Sequence, residues 1–129
     1  MPVFSSGSLE KLSTCNPQLI HLFNEVIKVY DCTILEGFRG ADRQNYLFVK
    51  GYSQVMFPNS YHNRYPSRAV DVAPWPIDWH NINRFIELSG VVKTLAKQLN
   101  IHIEWGGDWR TFKDYPHWQI PDVQKSTRS

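Results

Sequence analysis

An α+β domain, a small antiparallel sheet with helices packed against it, is predicted by three features of this 129-residue chain. Two long stretches carry apolar residues at helical spacing, and short runs rich in strand formers stand between and after them. The two kinds follow no regular alternation, and neither an internal repeat nor a Gly-rich phosphate loop points to a solenoid or a parallel sheet. At this length one hydrophobic core is expected, so residues 1–129 read as a single domain ending in a flexible tail over 121–129.

Each element has its own signal. After a short opening turn, Asn16 is a helix cap and Pro17 a favoured first residue, and Leu19, Leu22, Phe23, Val26, Ile27 and Tyr30 continue one apolar stripe to about residue 30. Cys32 to Glu36 is a short strand stopped by Gly37, with Arg39 just beyond its end. Ala41 to Lys50 has helical composition and Gly51 as its stop. Residues 57–76 are rich in Pro, Asn, Ser and Tyr and read as loop, except that Ala69-Val70-Asp71-Val72-Ala73 alternates and delivers Asp71 from a strand. Trp79 to Asn100 repeats Ile82, Phe85, Ile86, Val91, Val92, Leu95, Ala96 and Leu99 at helical spacing, with Gly90 a candidate interruption. Ile101 to Trp105 and His117 to Ile120 are the closing strands, and the polar end from Pro121, with Lys125 and Arg128, is expected to fray.

Composition narrows the function classes. A net charge of +2 is too small to argue for nucleic acid, and no stretch approaches the ~18 apolar residues of a membrane span. The first residues carry no basic and apolar leader, which predicts synthesis in the cytoplasm. Cys15 and Cys32 form no Cys-x-x-Cys pair, so buried free thiols are expected in place of a disulfide framework or thiolate metal site. Aromatic content of 14%, with five Trp, points to an aromatic-rich core or groove, the core being the commoner use.

The chemistry concentrates in Trp105-Gly106-Gly107-Asp108-Trp109 and Asp114-Tyr115-Pro116-His117-Trp118, taken with His62 and Asp71. Two His and one carboxylate fill three positions around zinc and leave the fourth for water. Asp114, three residues before His117, is placed in a turn by Pro116 and is a candidate proton acceptor, and Arg39 is a candidate cation for an oxyanion. A lone His is more often a surface or satisfied core residue, and an Asp before a turn is more often a cap. His21, His80 and His102 fall in helix or strand patterns and are assigned to no metal.

The same residues resemble the VanY-like D-Ala-D-Ala metallopeptidase family, and within it the phage endolysins that act as L-alanyl-D-glutamate endopeptidases. The resemblance runs from about Ser8 to Ile120. It rests on Glu36-Gly37-Phe38-Arg39 with Gln44, Leu47 and Gly51, on Ser60-Tyr61-His62 with Ala69-Val70-Asp71, and on Glu104 to Trp109 with Phe112, Asp114 and His117. It implies a hedgehog/DD-peptidase-like fold, zinc on His62, Asp71 and His117, Asp114 as catalytic base, and Arg39, Gln44 and Ser60 on the substrate side. The interval from His62 to Asp71 is two residues longer than the family's common spacing, and Ser67 stands where Gly is usual. Aspartate at 114 is similar to the endolysin branch, whereas the carboxypeptidase branch generally has Glu.

The resemblance therefore implies a zinc-dependent peptidoglycan hydrolase that cuts the L-Ala to D-Glu bond of the stem peptide. A single-domain monomer, released to the wall by a holin-type membrane permeabiliser, is the expected form. The alternatives are a D,D-carboxypeptidase releasing terminal D-Ala, and a non-catalytic wall-binding domain that keeps zinc for structure. Arg39 and Asp114 speak against the last, having no obvious reason to accompany a purely structural ion.

Overall fold

The computed structural model describes residues 2–122. Its elements are α1 (Ser6–Leu12), α2 (Pro17–Val26), β1 (Cys32–Glu36), α3 (Ala41–Val49), β2 (Ala69–Pro74), α4 (Ile82–Gln98), β3 (Glu104–Trp105) and β4 (His117–Gln119). The four strands form one sheet in the order β1-β2-β4-β3, and every neighbouring pair is antiparallel. The expected α+β architecture is the one observed.

The long elements follow their sequence signals. The Asn16 side chain accepts from Leu19 N at 3.0 Å and Pro17 opens α2, whose Leu19, Leu22, Phe23 and Val26 are fully buried. That helix stops at Val26, short of the expected Tyr30, and the Tyr30 hydroxyl turns outward to Glu87 at 3.0 Å. Gly51, at φ +82°, ends α3 as predicted. Gly90 leaves α4 uninterrupted, and Asn100 terminates the segment at φ +59°, the left-handed conformation Asn tolerates well.

Three expectations are corrected. The opening residues form α1, where Ser5 accepts from Ser8 N at 3.1 Å and Leu12 is buried. Ser8 Oγ in turn accepts from Ile34 N at 3.0 Å, so α1 covers polar backbone of β1 at the sheet edge. Of the closing strand expected from Ile101, only Glu104 and Trp105 pair with β4. Pro121 and Asp122, expected to fray, are fastened: Arg68 Nη2 donates to Pro121 O at 2.7 Å, Asp122 N donates to the Tyr61 hydroxyl at 3.2 Å, and Arg64 pairs with the Asp122 carboxylate. Lys125 and Arg128 lie outside the described residues.

One core joins these parts. Trp118 on β4 is buried, stacks on Trp105 with ring centroids 5.6 Å apart and meets Phe23 of α2 edge-on at 6.4 Å. Val70 and Val72 of β2 and Phe85, Leu88 and Val92 of α4 complete it. Both cysteines are free and buried, and burial pushes each thiol up to about 12, so neither is a thiolate at neutral pH. Among the described residues no helix is long and apolar enough to cross a membrane.

Candidate metal centre

Strand register assembles the site. Asp71 on β2 pairs with Glu36 on β1 on one side and with His117 on β4 on the other, so three polar residues form a row across three strands. A bulge between Ile34 and Glu36 brings Glu36 into that row. His62 arrives from a single helical turn, Tyr61–Asn63, whose cap is Ser60: Ser60 Oγ accepts from His62 N at 3.1 Å, and Asn63 Oδ1 accepts from Ser60 N at 3.0 Å. The chain between His62 and β2 is longer than the family spacing and is pinned at Ser67, whose N–H donates to Thr14 O and whose carbonyl accepts from Asn16 N. Ser67 Oγ also donates to Ala69 O at 2.6 Å, so the serine supplies its own anchor at the start of β2.

His62 Nε2, Asp71 Oδ1 and His117 Nδ1 converge. The carboxylate oxygen lies 3.2 Å from the first nitrogen and 3.3 Å from the second. Ligands about 2.0–2.1 Å from a tetrahedral ion are separated by about 3.3–3.4 Å, so both spacings match edges of such a tetrahedron. The tautomers agree with this. His62 Nδ1 lies 2.8 Å from Gly37 O, a pure acceptor, so in the neutral ring Nδ1 carries the proton and Nε2 turns a lone pair to Asp71. On the other ring His117 Nε2 donates to Gln119 Oε1 at 2.7 Å, and Gln119 Nε2 donates to Glu104 Oε1 at 2.7 Å, which orients the amide and leaves His117 Nδ1 as the candidate ligand atom. Two lone pairs aimed at one carboxylate oxygen repel unless a proton or a cation lies between them, so the donor set fits a divalent ion.

Burial alone lowers the pKa of His117, but its hydrogen bond and attraction to Asp71 outweigh burial and hold the imidazole above its ordinary value. Burial likewise disfavours ionised Asp71, and His62 and His117 overcome it, keeping this carboxylate well below the usual range. Asp71 Oδ2 faces Arg39 Nη2 at 3.5 Å, so the two oxygens are divided between ligand position and guanidinium.

Arg39 is buried. Its Nη2 donates to Glu36 Oε1 at 2.9 Å and its Nη1 to Gln44 Oε1 at 3.0 Å, while Nε has no partner among the described residues. Gln44 is wholly buried: Nε2 donates to Ser53 Oγ at 2.8 Å and to Val55 O at 2.7 Å, and Oε1 accepts from Arg39 and Asn63. The three residues expected on the substrate side, Arg39, Gln44 and Ser60, thus form the scaffold behind the ligands. Arg39 and Ser60 also line the cleft, whereas Gln44 reaches it through the 53–55 loop that it ties down.

Asp114 stands at the mouth of the centre, its Oδ2 3.9 Å from His117 Nδ1. Burial first, and then the negative charge of Asp71, raise its pKa above the ordinary aspartate value. Close packing of the 106–117 loop places it: Asp114 N donates to Gly106 O at 3.0 Å, and His117 N to Asp114 O at 3.1 Å. A Cβ on Gly106 would lie 2.3 Å from Asp114 O and 3.1 Å from His117 Cβ, so only glycine allows that approach. At Gly37 a Cβ would meet Thr14 Oγ1 at 2.3 Å and Lys11 O at 2.4 Å.

These groups face a cleft of about 610 Å³, whose walls include Glu36, Arg43, Tyr52, Trp109, Lys113 and Gln119. His62, Asp71 and His117 are the cluster able to hold an ion among the described residues, with candidate ligand atoms all within 4.8 Å of one another. His21, His80 and His102 are exposed and apart from it. Three contributors were missed by the residue reading. Glu36 and the Gly37 carbonyl were quoted only as motif, and Gln119 had a usable signal, since i and i+2 on a strand share a face with His117. Of the five Trp, Trp105 and Trp118 are core, Trp75 and Trp79 are more than half exposed, and Trp109 lies against the His117 ring at 5.2 Å.

Comparison with known proteins points one way. Residues 2–123 match the family described as phage L-alanyl-D-glutamate peptidase. The L-alanyl-D-glutamate peptidase of Escherichia phage T5 is 27% identical over 117 residues, covering 87% of this chain and 85% of the relative. The peptidoglycan L-alanyl-D-glutamate endopeptidase CwlK of Bacillus subtilis (strain 168) is 31% identical over 112 residues, 72% of this chain and 62% of its own length. The crystal structure of the Serratia marcescens L-Ala D-Glu endopeptidase ChiX superposes with a TM-score of 0.81 at 28% identity, covering 93% of this chain and 91% of that one.

Proposed function

As a member of the phage L-alanyl-D-glutamate peptidase family, this chain, we propose, hydrolyses the L-Ala to D-Glu bond of peptidoglycan stem peptides at a zinc centre on His62, Asp71 and His117, with Asp114 as the proton carrier. The observation that carries the proposal is a cluster of two imidazole nitrogens and one carboxylate oxygen, tautomers set by Gly37 O and Gln119, opening on a cleft with Asp114 at its mouth. A zinc-keeping binding domain has no use for that open side.

Two His and one Asp are donors that zinc takes, and bound there it supplies a Lewis acid that polarises the scissile carbonyl and acidifies the attacking water. Asp114 accepts the proton that water loses and delivers it to the departing D-Glu amine, so the C–N bond breaks with a neutral leaving group. Burial and the charge of Asp71 hold the pKa of Asp114 above the ordinary aspartate value, which favours keeping a transferred proton. Arg39 holds Asp71 Oδ2 and Glu36 in place, and Ser60 positions the backbone of His62. With Nη1 and Nη2 engaged, Arg39 contributes by orientation and by its positive charge beneath the cleft.

The deciding experiment is mass spectrometry of purified peptidoglycan after digestion with zinc-loaded protein, metal-stripped protein and Asp114→Asn. Products beginning at D-Glu, made by the loaded wild type alone, are expected. Release of terminal D-Ala in their place would assign a carboxypeptidase, and no product would assign a binding domain. Action on the wall as a monomer made in the host cytoplasm and released by a holin-type permeabiliser belongs to the same proposal. Co-expression tests that part: lysis is expected only when the permeabiliser is present.

A further inference from the structure

We propose that Lys113 is a specificity-determining residue that binds the free carboxylate of the D-Glu residue on the leaving side of the bond; this rests on the endopeptidase reading. A glutamate continues a peptide through only one of its two carboxyl groups, so the residue whose amine departs keeps a negative charge. If that charge is the α-carboxylate, it is two bonds from the departing nitrogen, so its partner must stand near the group that protonates the amine. Asp114 is that group, and Lys113 is its neighbour in the chain and lines the same cleft.

The two cleft arginines each have a carboxylate partner. Arg39 is buried against Glu36 and Asp71, and Arg43 Nε pairs with Glu36 Oε2 at 3.4 Å. Lys113 has no carboxylate within ion-pair distance among the described residues. Its Nζ donates to two backbone carbonyls, Trp109 O at 2.7 Å and Gly107 O at 3.3 Å. An ammonium has three N–H donors, so one is uncommitted while the group is held in place by the other two. A charged donor held by two carbonyls, with no charged partner among the described residues and in the wall of the same cleft as Asp114, suits a carboxylate.

The test compares two peptides, one carrying the free D-Glu carboxylate and one with that carboxylate amidated, each cut by zinc-loaded wild type, Lys113→Gln and Lys113→Arg. Wild type is expected to favour the acid by about tenfold in kcat/KM, chiefly through KM, and Lys113→Gln to bring the ratio close to one. Lys113→Arg, which keeps the charge, is expected to retain most of the preference. Equal loss on both peptides in Lys113→Gln, leaving the ratio where it was, overturns the proposal, because loosening the 107–113 loop would act on both alike. Absence of a wild-type preference overturns it too. Failure of the wild type to cut either peptide between Ala and Glu would sink the endopeptidase reading together with this one, whereas cutting with an unchanged ratio sinks this one alone.

Discussion

His117 depends on a chain of acceptors that ends at a carboxylate: Nε2 donates to Gln119, and Gln119 donates to Glu104. The relay selects the tautomer with a lone pair on Nδ1, and Gln119→Leu removes it with little change in volume. Zinc affinity is expected to fall about 10–100-fold, measured by competition with a chromophoric chelator. Unchanged affinity would show that the ring is oriented by packing against Trp109 alone. Asp114 makes the opposite prediction, because it is no ligand. Asp114→Asn is expected to lower kcat by about 10²–10⁴-fold at unchanged zinc stoichiometry, checked by peptide hydrolysis beside metal analysis.

Gly106 lies in the turn between β3 and the loop that returns to β4, and its missing side chain lets Asp114 and His117 share one wall. Gly106→Ala drives a methyl group into the Asp114 carbonyl oxygen, so the loop itself must shift. A stability loss of about 1–3 kcal/mol in denaturant melts is expected, with activity falling further than stability explains. A variant with full activity would mean that the loop tolerates the displacement and that Asp114 is not held by this contact. At the opposite end α1 is a short helix whose Ser8 hydroxyl accepts from an edge-strand amide. It contributes to the sheet that carries the ligands, not to their chemistry.

Folding and metal binding are coupled through protons. Asp71 is held below the ordinary carboxylate range, so its contribution to stability is complete above about pH 4 and is lost as pH falls through the folded value. His117 is held above its ordinary value, so its contribution is complete below about pH 6.5 and is lost as pH rises through the folded value. The metal-free pair therefore stabilises most between those limits. A zinc ion on the candidate ligands would displace the His117 proton, so the stabilisation by zinc is expected to grow with pH. Thermal melts at about pH 5.5 and about pH 8 should show the metal-free Tm lower at the higher pH and the zinc-induced rise larger there, with about 4 kcal/mol of stabilisation at a thousandfold excess of zinc over Kd. A zinc-induced rise that shrinks with pH would contradict this proton exchange.

The three longer helices, the two longer strands, the free buried cysteines and the candidate ligands could be read from residue order alone. Caps, apolar periodicity and the chemistry of His and Asp are local properties that need no partner to be recognised. The boundaries that moved were set by contacts across the chain: α1 is fastened to the edge of β1 through Ser8, only Glu104 and Trp105 of the closing strand pair with β4, and Pro121 and Asp122 are held by arginines 53 and 58 positions away in the chain. Register and packing did the rest. Register set Glu36, Asp71 and His117 in one row, while packing of the chain after β1 paired Arg39 with two carboxylates and drew Gln44 of α3 wholly inside, because a strand's neighbours are chosen by the sheet and a charge's partners by whatever the fold places within reach.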